Sequence, residues 1–263
     1  LVAAISRVLL PCGYLPAARR AQCESMKLAL LGDIHGNAAA LTAVLHGAVR
    51  EGASLLLLTG DFVGYYYRPE HVLRTLEGWD SYAVRGNHED WMFAAQADVV
   101  AAENYRARYG SGVDVALVTL SDTELDYLRD LPVTREVQLG ERRLLLGHGA
   151  PWDTDFYIYP DAPDEVWKRL ANLKYDYIVL GHTHHRYCRR AGATLVINPG
   201  SVGQPRDWQP GAAWALLETD TDTVKFFTEP YNTENVANEA RARDPILPYL
   251  SEVLSRNKAV SSR

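Results

Sequence analysis

Leu28-Ala29-Leu30-Leu31-Gly32-Asp33-Ile34-His35 is a short apolar run that breaks at a glycine and ends on an acid and an imidazole. Such an uninterrupted run, with no proline, reads as a strand buried on both faces. The same pattern recurs along the chain. Leu55 to Thr59 leads to Gly60-Asp61, and Tyr82-Ala83-Val84 leads to Arg85-Gly86-Asn87-His88. Arg142 to Leu146 leads to Gly147-His148, and Tyr177 to Leu180 leads to Gly181-His182-Thr183-His184. Ligands of α/β sheets sit beyond the carboxyl ends of strands, where such side chains can converge. The chain has eight histidines, and five of them fall in these segments, which makes a chance arrangement improbable.

Between the strands the spacing is helical. Asn37 can cap a helix carrying Leu41, Val44, Leu45 and Val49. Pro69 suits a first helical position before Val72, Leu73 and Leu76. The Ala-rich stretch from Asp90 to about Tyr109 reads as one helix. Ser121 and Glu124 form a capping-box pattern before Leu125 and Leu128, and Pro132 stops that helix. Gly140-Glu141 marks a hairpin turn. A helix is expected over about 164–173, with short strands near 186–189, 194–198, 213–217 and 224–228. A helical tail over about 232–255 is broken at Pro245. Residues 26–263 thus read as a single α/β domain with a C-terminal helical tail, parallel-type strands early and antiparallel hairpins late.

Composition narrows the function. The 263 residues are 47% apolar and 23% charged, with net charge −6 and no basic run. That argues against a nucleic-acid polymer as partner, since such binding relies on a basic footprint. Cys12, Cys23 and Cys188 form no CxxC pair, which fits a reducing cytoplasm. The chain begins at Leu1 with a short apolar stretch followed by Arg19 and Arg20, the reverse of a secretory signal. That stretch is too short to cross a bilayer, so no membrane association is expected. Met26 precedes the first strand, and residues 1–25 are expected to be a non-native or flexible extension.

Asp33, His35, Asp61, Asn87, His148, His182 and His184 offer carboxylate, imidazole and amide donors without a thiolate. Such donors suit Mn, Fe, Zn or Ni. Seven are too many for one ion, and two divalent ions sharing a carboxylate would use them all.

The order Asp33-x-His35, Gly60-Asp61, Gly86-Asn87-His88-Glu89, Gly147-His148, Gly181-His182-x-His184 resembles the calcineurin-like metallophosphoesterase superfamily, over Met26 to about Thr228. Gly60-Asp61-Phe62-Val63-Gly64-Tyr65 and Asn198-Pro199-Gly200-Ser201-Val202-Gly203 are similar to its small bacterial and archaeal phosphodiesterase branch. The resemblance implies a four-layer sandwich of two mixed β-sheets flanked by helices. It implies that Asp33, His35 and His184 hold one metal, that Asn87, His148 and His182 hold the other, and that Asp61 bridges them. It gives His88 the role of contacting phosphate and protonating the leaving group. The implied function is hydrolysis of small phosphodiesters or phosphomonoesters, nucleotides among them, by in-line attack of a metal-bound hydroxide.

Val63-Gly64-Tyr65-Tyr66 stands where the protein-phosphatase branch carries an Asp and an Arg-Gly that orient the acid histidine. This weakens a protein-phosphatase reading and leaves the partner of His88 open, with Glu89 a candidate. Arg85 is either a phosphate ligand or half of a salt bridge, and Arg206 is either a substrate anchor or structural. Tyr65, Tyr66 and Tyr67 could stack on a nucleobase or simply be buried. The Asp153-Thr154-Asp155 stretch reads as a solvated loop or a pocket wall. His46 and His71 read as surface residues and His185 as structural. The competing functions are a nuclease of the same superfamily and a non-catalytic scaffold, as in the retromer subunit built on this fold.

Overall fold

The computed structural model describes residues 26–257. The expected extension, 1–25, lies outside the described residues. Among the described residues, ten strands form two five-stranded sheets. In the first, β1 (Lys27–Leu31), β2 (Leu55–Leu58) and β3 (Ser81–Ala83) run parallel. Two late strands, β9 (Ala212–Glu218) and β10 (Thr223–Glu229), extend it as an antiparallel hairpin beyond β1. The second sheet has the order β4-β5-β6-β8-β7. Here β5 (Arg142–Gly147), β6 (Tyr177–Val179) and β8 (Thr194–Pro199) are parallel. Its antiparallel edges are β4 (Thr134–Leu139) and β7 (Arg186–Ala191).

The alternation of strand side chains builds the layers. Leu28, Leu30, Leu55 and Leu57 meet Leu144, Leu146, Val179 and Ile197 between the sheets, all buried. Each fully buried leucine contributes roughly 2 kcal/mol. Ala29, Leu31, Leu56 and Leu58 point the other way, onto a helical layer. That layer includes α1 (Ala38–Glu51), α2 (Pro69–Leu76) and α6 (Asp122–Asp130). On the far side Leu145, Ile178 and Val196 pack on Trp167 and Leu170 of α7 (Asp164–Ala171). The architecture is the expected four-layer sandwich of two mixed sheets flanked by helices.

Helix signals held at their caps. The Asn37 side chain accepts from the Ala40 N–H, Pro69 opens α2, and Ser121 and Glu124 form a capping box. The single helix expected from Asp90 to Tyr109 is instead two, α3 (Asn87–Ala97) and α4 (Val99–Tyr109). Asp98 separates them in an extended conformation, φ −140° and ψ 121°. Its N–H closes α3 on the Ala94 carbonyl, and its carboxylate accepts from the Val100 N–H to open α4. A further helix, α5 (Gly112–Thr119), was not expected, because its glycine and β-branched residues are weak helix formers. The tail forms α8 (Thr233–Arg243) and the short α9 (Tyr249–Glu252), interrupted around Pro245 as expected. Among the described residues, no helix is long and apolar enough to cross a membrane.

Candidate metal centre

The loops after β1, β2, β5 and β6 and the start of α3 meet along the seam between the sheets. They bring all seven candidate ligands to one region. Asp33, His35, Asp61, His182 and His184 have φ between 52° and 67°, the left-handed region that side chains with a Cβ rarely adopt. Strain of this kind costs about 1–3 kcal/mol per residue and persists only where surrounding structure enforces it. The enforcement is visible. The Asp33 N–H donates to the Gly60 carbonyl, and the His35 N–H donates to the Asp61 carbonyl. The end of β8 and the segment after it clamp the same loops. The Ser201 hydroxyl and the Gly203 N–H both donate to the Asp33 carbonyl, and the Asn198 amide donates to the Gly181 carbonyl.

Glycine matters at one crossing in particular. Gly60 has φ 94°, and a Cβ there would lie 2.5 Å from the Gly86 nitrogen. Only a bare backbone lets the second and third motif loops touch at that point.

Four histidines are oriented by backbone carbonyls. A carbonyl only accepts, so the ring nitrogen facing it carries the proton. His35 Nδ1 donates to the Val63 carbonyl at 3.1 Å, and His148 Nδ1 donates to that of Thr59 at 2.7 Å. His184 Nδ1 donates to the Gln204 carbonyl at 2.6 Å, and His182 Nε2 donates to that of Asp155 at 3.1 Å. The opposite nitrogen of each ring keeps a lone pair that a cation could take. This is how metal-binding imidazoles are held.

Those free nitrogens crowd the carboxylates. Ligand atoms of Asp33, His35, Asp61 and His184 lie within 4.8 Å of one another, all buried. His35 Nε2 is 3.1 Å from His184 Nε2, and His184 Nε2 is 3.3 Å from Asp33 Oδ1. Two imidazole lone pairs that close repel unless positive charge lies between them. A second group adjoins the first. His148 Nε2 is 2.8 Å from Asn87 Oδ1 and 3.3 Å from Asp61 Oδ2, and its ring centroid is 4.9 Å from that of His182. Asp61 Oδ2 lies between the groups, 3.7 Å from His35 Nε2.

The electrostatics point the same way. Burial lowers the pKa of His35 and His184 and brings that of His182 down to about 4, so these rings are neutral. Burial also acts against charge on His148, but the Asp61 carboxylate outweighs it and raises the pKa to about 10. The centre therefore demands positive charge at that nitrogen, and neutral imidazoles with carboxylates are the donors a divalent cation accepts.

A family model, the calcineurin-like phosphoesterase superfamily domain, matches residues 26–222. The chain belongs to the calcineurin-like phosphoesterase superfamily. With a phosphodiesterase among its relatives, it is a metal-dependent phosphoric ester hydrolase of the small bacterial and archaeal branch. Over 248 residues it is 25% identical to the uncharacterized protein MJ0912 of Methanocaldococcus jannaschii, covering 86% of this chain and 96% of that one. It is 29% identical to phosphodiesterase YfcE of Escherichia coli over 203 residues, covering 76% of this chain and 91% of YfcE. The fold is shared with the hypothetical protein PH1004 of Pyrococcus horikoshii, at TM-score 0.75 and 22% identity, covering 88% of this chain and 98% of the other. A metallophosphoesterase from Sphaerobacter thermophilus aligns at TM-score 0.70 and 24% identity, covering 89% and 100%.

The other candidate residues of this phosphoesterase divide by what they touch. His88 is buried beside the cluster, and its N–H donates to Asp61 Oδ1. Burial lowers its pKa to about 4. Its ring partner is not Glu89 but Tyr105, whose hydroxyl lies 2.7 Å from Nδ1. Glu89 has a different task. One carboxylate oxygen accepts from the N–H groups of Asp61 and Gly86, and the other accepts from those of Phe62 and Val63. It ties the second motif loop to the third. Burial and the Asp61 charge raise its pKa and the backbone donors lower it; with two N–H groups on each oxygen there is no room for a proton, so the group is the carboxylate.

Tyr65 packs edge-on against His35, with centroids 4.5 Å apart, and its hydroxyl accepts from Arg206 at 2.8 Å. Arg206 also donates to Gln204 Oε1, and among the described residues no carboxylate pairs with it. Arg85 forms the salt bridge, with Asp90 at 2.6 Å, and donates to the Arg129 carbonyl. Tyr66 and Tyr67 are not base-stacking residues. Both are buried against α8 and α9, with hydroxyls donating to the Leu250 carbonyl and to Asp244. His46 and His71 are exposed on helices, and the His185 ring donates to the Thr183 carbonyl. The Asp153–Asp155 stretch is a turn whose Asp155 carbonyl orients His182, a role that only the fold reveals. Beyond it, Tyr157 stacks on the His182 ring, with centroids 3.8 Å apart.

Proposed function

We propose that this phosphoesterase hydrolyses small phosphodiesters, and phosphomonoesters less readily, using two divalent cations. Asp33, His35 and His184 hold one, Asn87, His148 and His182 hold the other, and Asp61 is shared. The observation that carries this reading is the position of Asp61 Oδ2 between His35 Nε2 and His148 Nε2. When bound, the cations supply positive charge that polarises the phosphoester and acidifies an attacking water. Mn, Fe, Zn and Ni all suit the donor set. The preference for diesters rests on the similarity to phosphodiesterase YfcE.

The chain's own groups complete the chemistry. Arg206 is a guanidinium beside the cluster with no acidic partner among the described residues, so it is suited to a non-bridging phosphate oxygen. His88 Nε2 makes no hydrogen bond among the described residues; on the protonated ring, a minor but correspondingly strong acid at its lowered pKa, it is the atom available to donate to the leaving oxygen. Arg85 is engaged by Asp90 and plays no part in this scheme.

The direct test is a screen of bis-p-nitrophenyl phosphate, p-nitrophenyl phosphate, cyclic nucleotides and alkyl diesters with Mn²⁺, Ni²⁺, Zn²⁺ and Fe²⁺. Activity is expected with at least one metal, is lost on chelation and returns on metal addition. Failure with every combination would sink the proposal. With an alkyl diester and the active metal, His88→Ala is expected to lower kcat roughly 10²–10⁴-fold, the usual worth of a general acid, and with a p-nitrophenyl ester far less. Metal content by elemental analysis should stay at the wild-type level, because His88 is not a ligand. A His88→Ala protein that purifies metal-depleted would move His88 into the ligand set.

A further inference from the structure

The ring of His88 sits in an aromatic cage. Its centroid is 4.6 Å from that of His35, 4.8 Å from Tyr65, 5.0 Å from Trp91 and 5.6 Å from Tyr109. Such a cage holds the plane of an imidazole but barely distinguishes the ring from its 180° flip. The flip exchanges each nitrogen for a carbon, and with the wrong flip Nε2 no longer faces the phosphoester. Only a directional bond makes the choice. One such bond to the ring exists among the described residues, between Nδ1 and the Tyr105 hydroxyl at 2.7 Å.

We propose that Tyr105 is a positioning residue that selects the ring flip of His88 and keeps Nε2 turned toward the leaving-group oxygen. This rests on the role given to His88 above. A hydroxyl both donates and accepts. The imidazolium carries protons on both nitrogens; it passes the Nε2 proton to the leaving oxygen and becomes the neutral ring that keeps Nδ1–H, and the Tyr105 hydroxyl accepts from Nδ1–H in both states without moving. Tyr105 therefore holds one orientation through a full proton transfer. A carboxylate partner would also orient the ring, but it would stabilise the charged form throughout. Burial raises the Tyr105 pKa well above its usual value, so the phenol keeps its proton.

The fold places Tyr105 with some care. His88 lies in the first turn of α3 and Tyr105 in the second half of α4. The two helices fold back on each other at Asp98, and the Asp98 cap fixes where α4 starts. The arrangement depends on the break that divides the Ala-rich stretch.

The test compares wild type, Tyr105→Phe, His88→Ala and the double variant on two diesters, one with a p-nitrophenolate and one with an alkoxide leaving group. Tyr105→Phe keeps the ring in the cage and removes only the hydroxyl. One hydrogen bond corresponds to roughly a tenfold change in rate. The alkyl diester should lose about that much kcat with KM unchanged. The p-nitrophenyl ester should change little, because its leaving group needs no proton. In the His88→Ala background, Tyr105→Phe should have no further effect. An equal loss on both esters, or a loss that persists without His88, would overturn the proposal.

Nitrogen NMR of the imidazoles in metal-free protein gives an answer independent of turnover. Wild-type His88 should show one ring environment with a hydrogen-bonded Nδ1, and Tyr105→Phe should lose that hydrogen-bonded signal and show two ring environments, one for each flip. An unchanged spectrum in Tyr105→Phe would overturn the proposal. If wild type turned over no ester at all, the function proposed above would fail, and the spectra would still judge the orientation by Tyr105.

Discussion

Asp61→Asn is expected to lower phosphoester turnover by about 10²–10⁴-fold, the rate equivalent of the ~3–5 kcal/mol lost when one partner of a buried charge cluster is removed. The substitution is nearly isosteric, so the cause would be charge and not shape. Oδ2 of Asp61 faces His148 at 3.3 Å and His35 at 3.7 Å, and Oδ1 accepts from the His88 N–H. An amide in that place keeps one acceptor oxygen and replaces the other with an NH₂ that repels cations and imidazolium alike. Metal content should fall in parallel. The second readout is His148. The carboxylate now raises its pKa to about 10, and with the carboxylate gone the opposing burial effect should dominate. Its pKa should then drop below the ordinary histidine value, as burial does for His182. Full metal occupancy and turnover in Asp61→Asn would show that Asp61 is not shared between two sites.

Glu89→Gln is expected to destabilise the protein by about 2–6 kcal/mol, although Glu89 touches no substrate in the proposed scheme. The estimate comes from counting donors. Each carboxylate oxygen accepts two backbone N–H groups, and all of these groups are buried. Glutamine keeps one oxygen and turns an NH₂ toward the other pair. Two buried N–H groups then lose their acceptor, at about 1–3 kcal/mol each. Urea denaturation of the metal-free protein measures this without interference from bound ions. An unchanged midpoint would mean that water replaces the lost acceptor and that the carboxylate is not what ties the loops.

The main outline was legible in the sequence because strand-end loops carry their chemistry in contiguous residues. Gly-Asp-x-His and Gly-His-x-His can be read without knowing what lies opposite. The two-sided burial of the strands was equally plain, since a run such as Leu55 to Leu58 offers no polar face. Partners distant in sequence were not legible. Nothing near Tyr105 marks it as the neighbour of His88, because the contact depends on the angle between two helices. The carbonyls of Val63, Thr59, Gln204 and Asp155 orient four imidazoles, yet every residue has a carbonyl. Glu89 was singled out for being next to His88, but in the first turn of α3 adjacent side chains diverge, and its carboxylate reaches back to the loop of Asp61. Asp98 was overlooked because alanines on either side of it dominate the local propensity, although an acid before two valines is a cap signal.

The seam position of the centre carries a mechanical consequence. Asp33, His35, Asp61 and Asn87 ride on one sheet, and His148, His182 and His184 ride on the other. The ligand set is therefore a caliper with its two jaws on separate leaves, and the leucine slab between the leaves sets its opening. Thinning or thickening that slab changes the bite without touching a ligand. In the proposed scheme, affinity for a cation would in this sense be partly written in Leu30, Leu57, Leu146 and Val179, residues with no donor atom to offer.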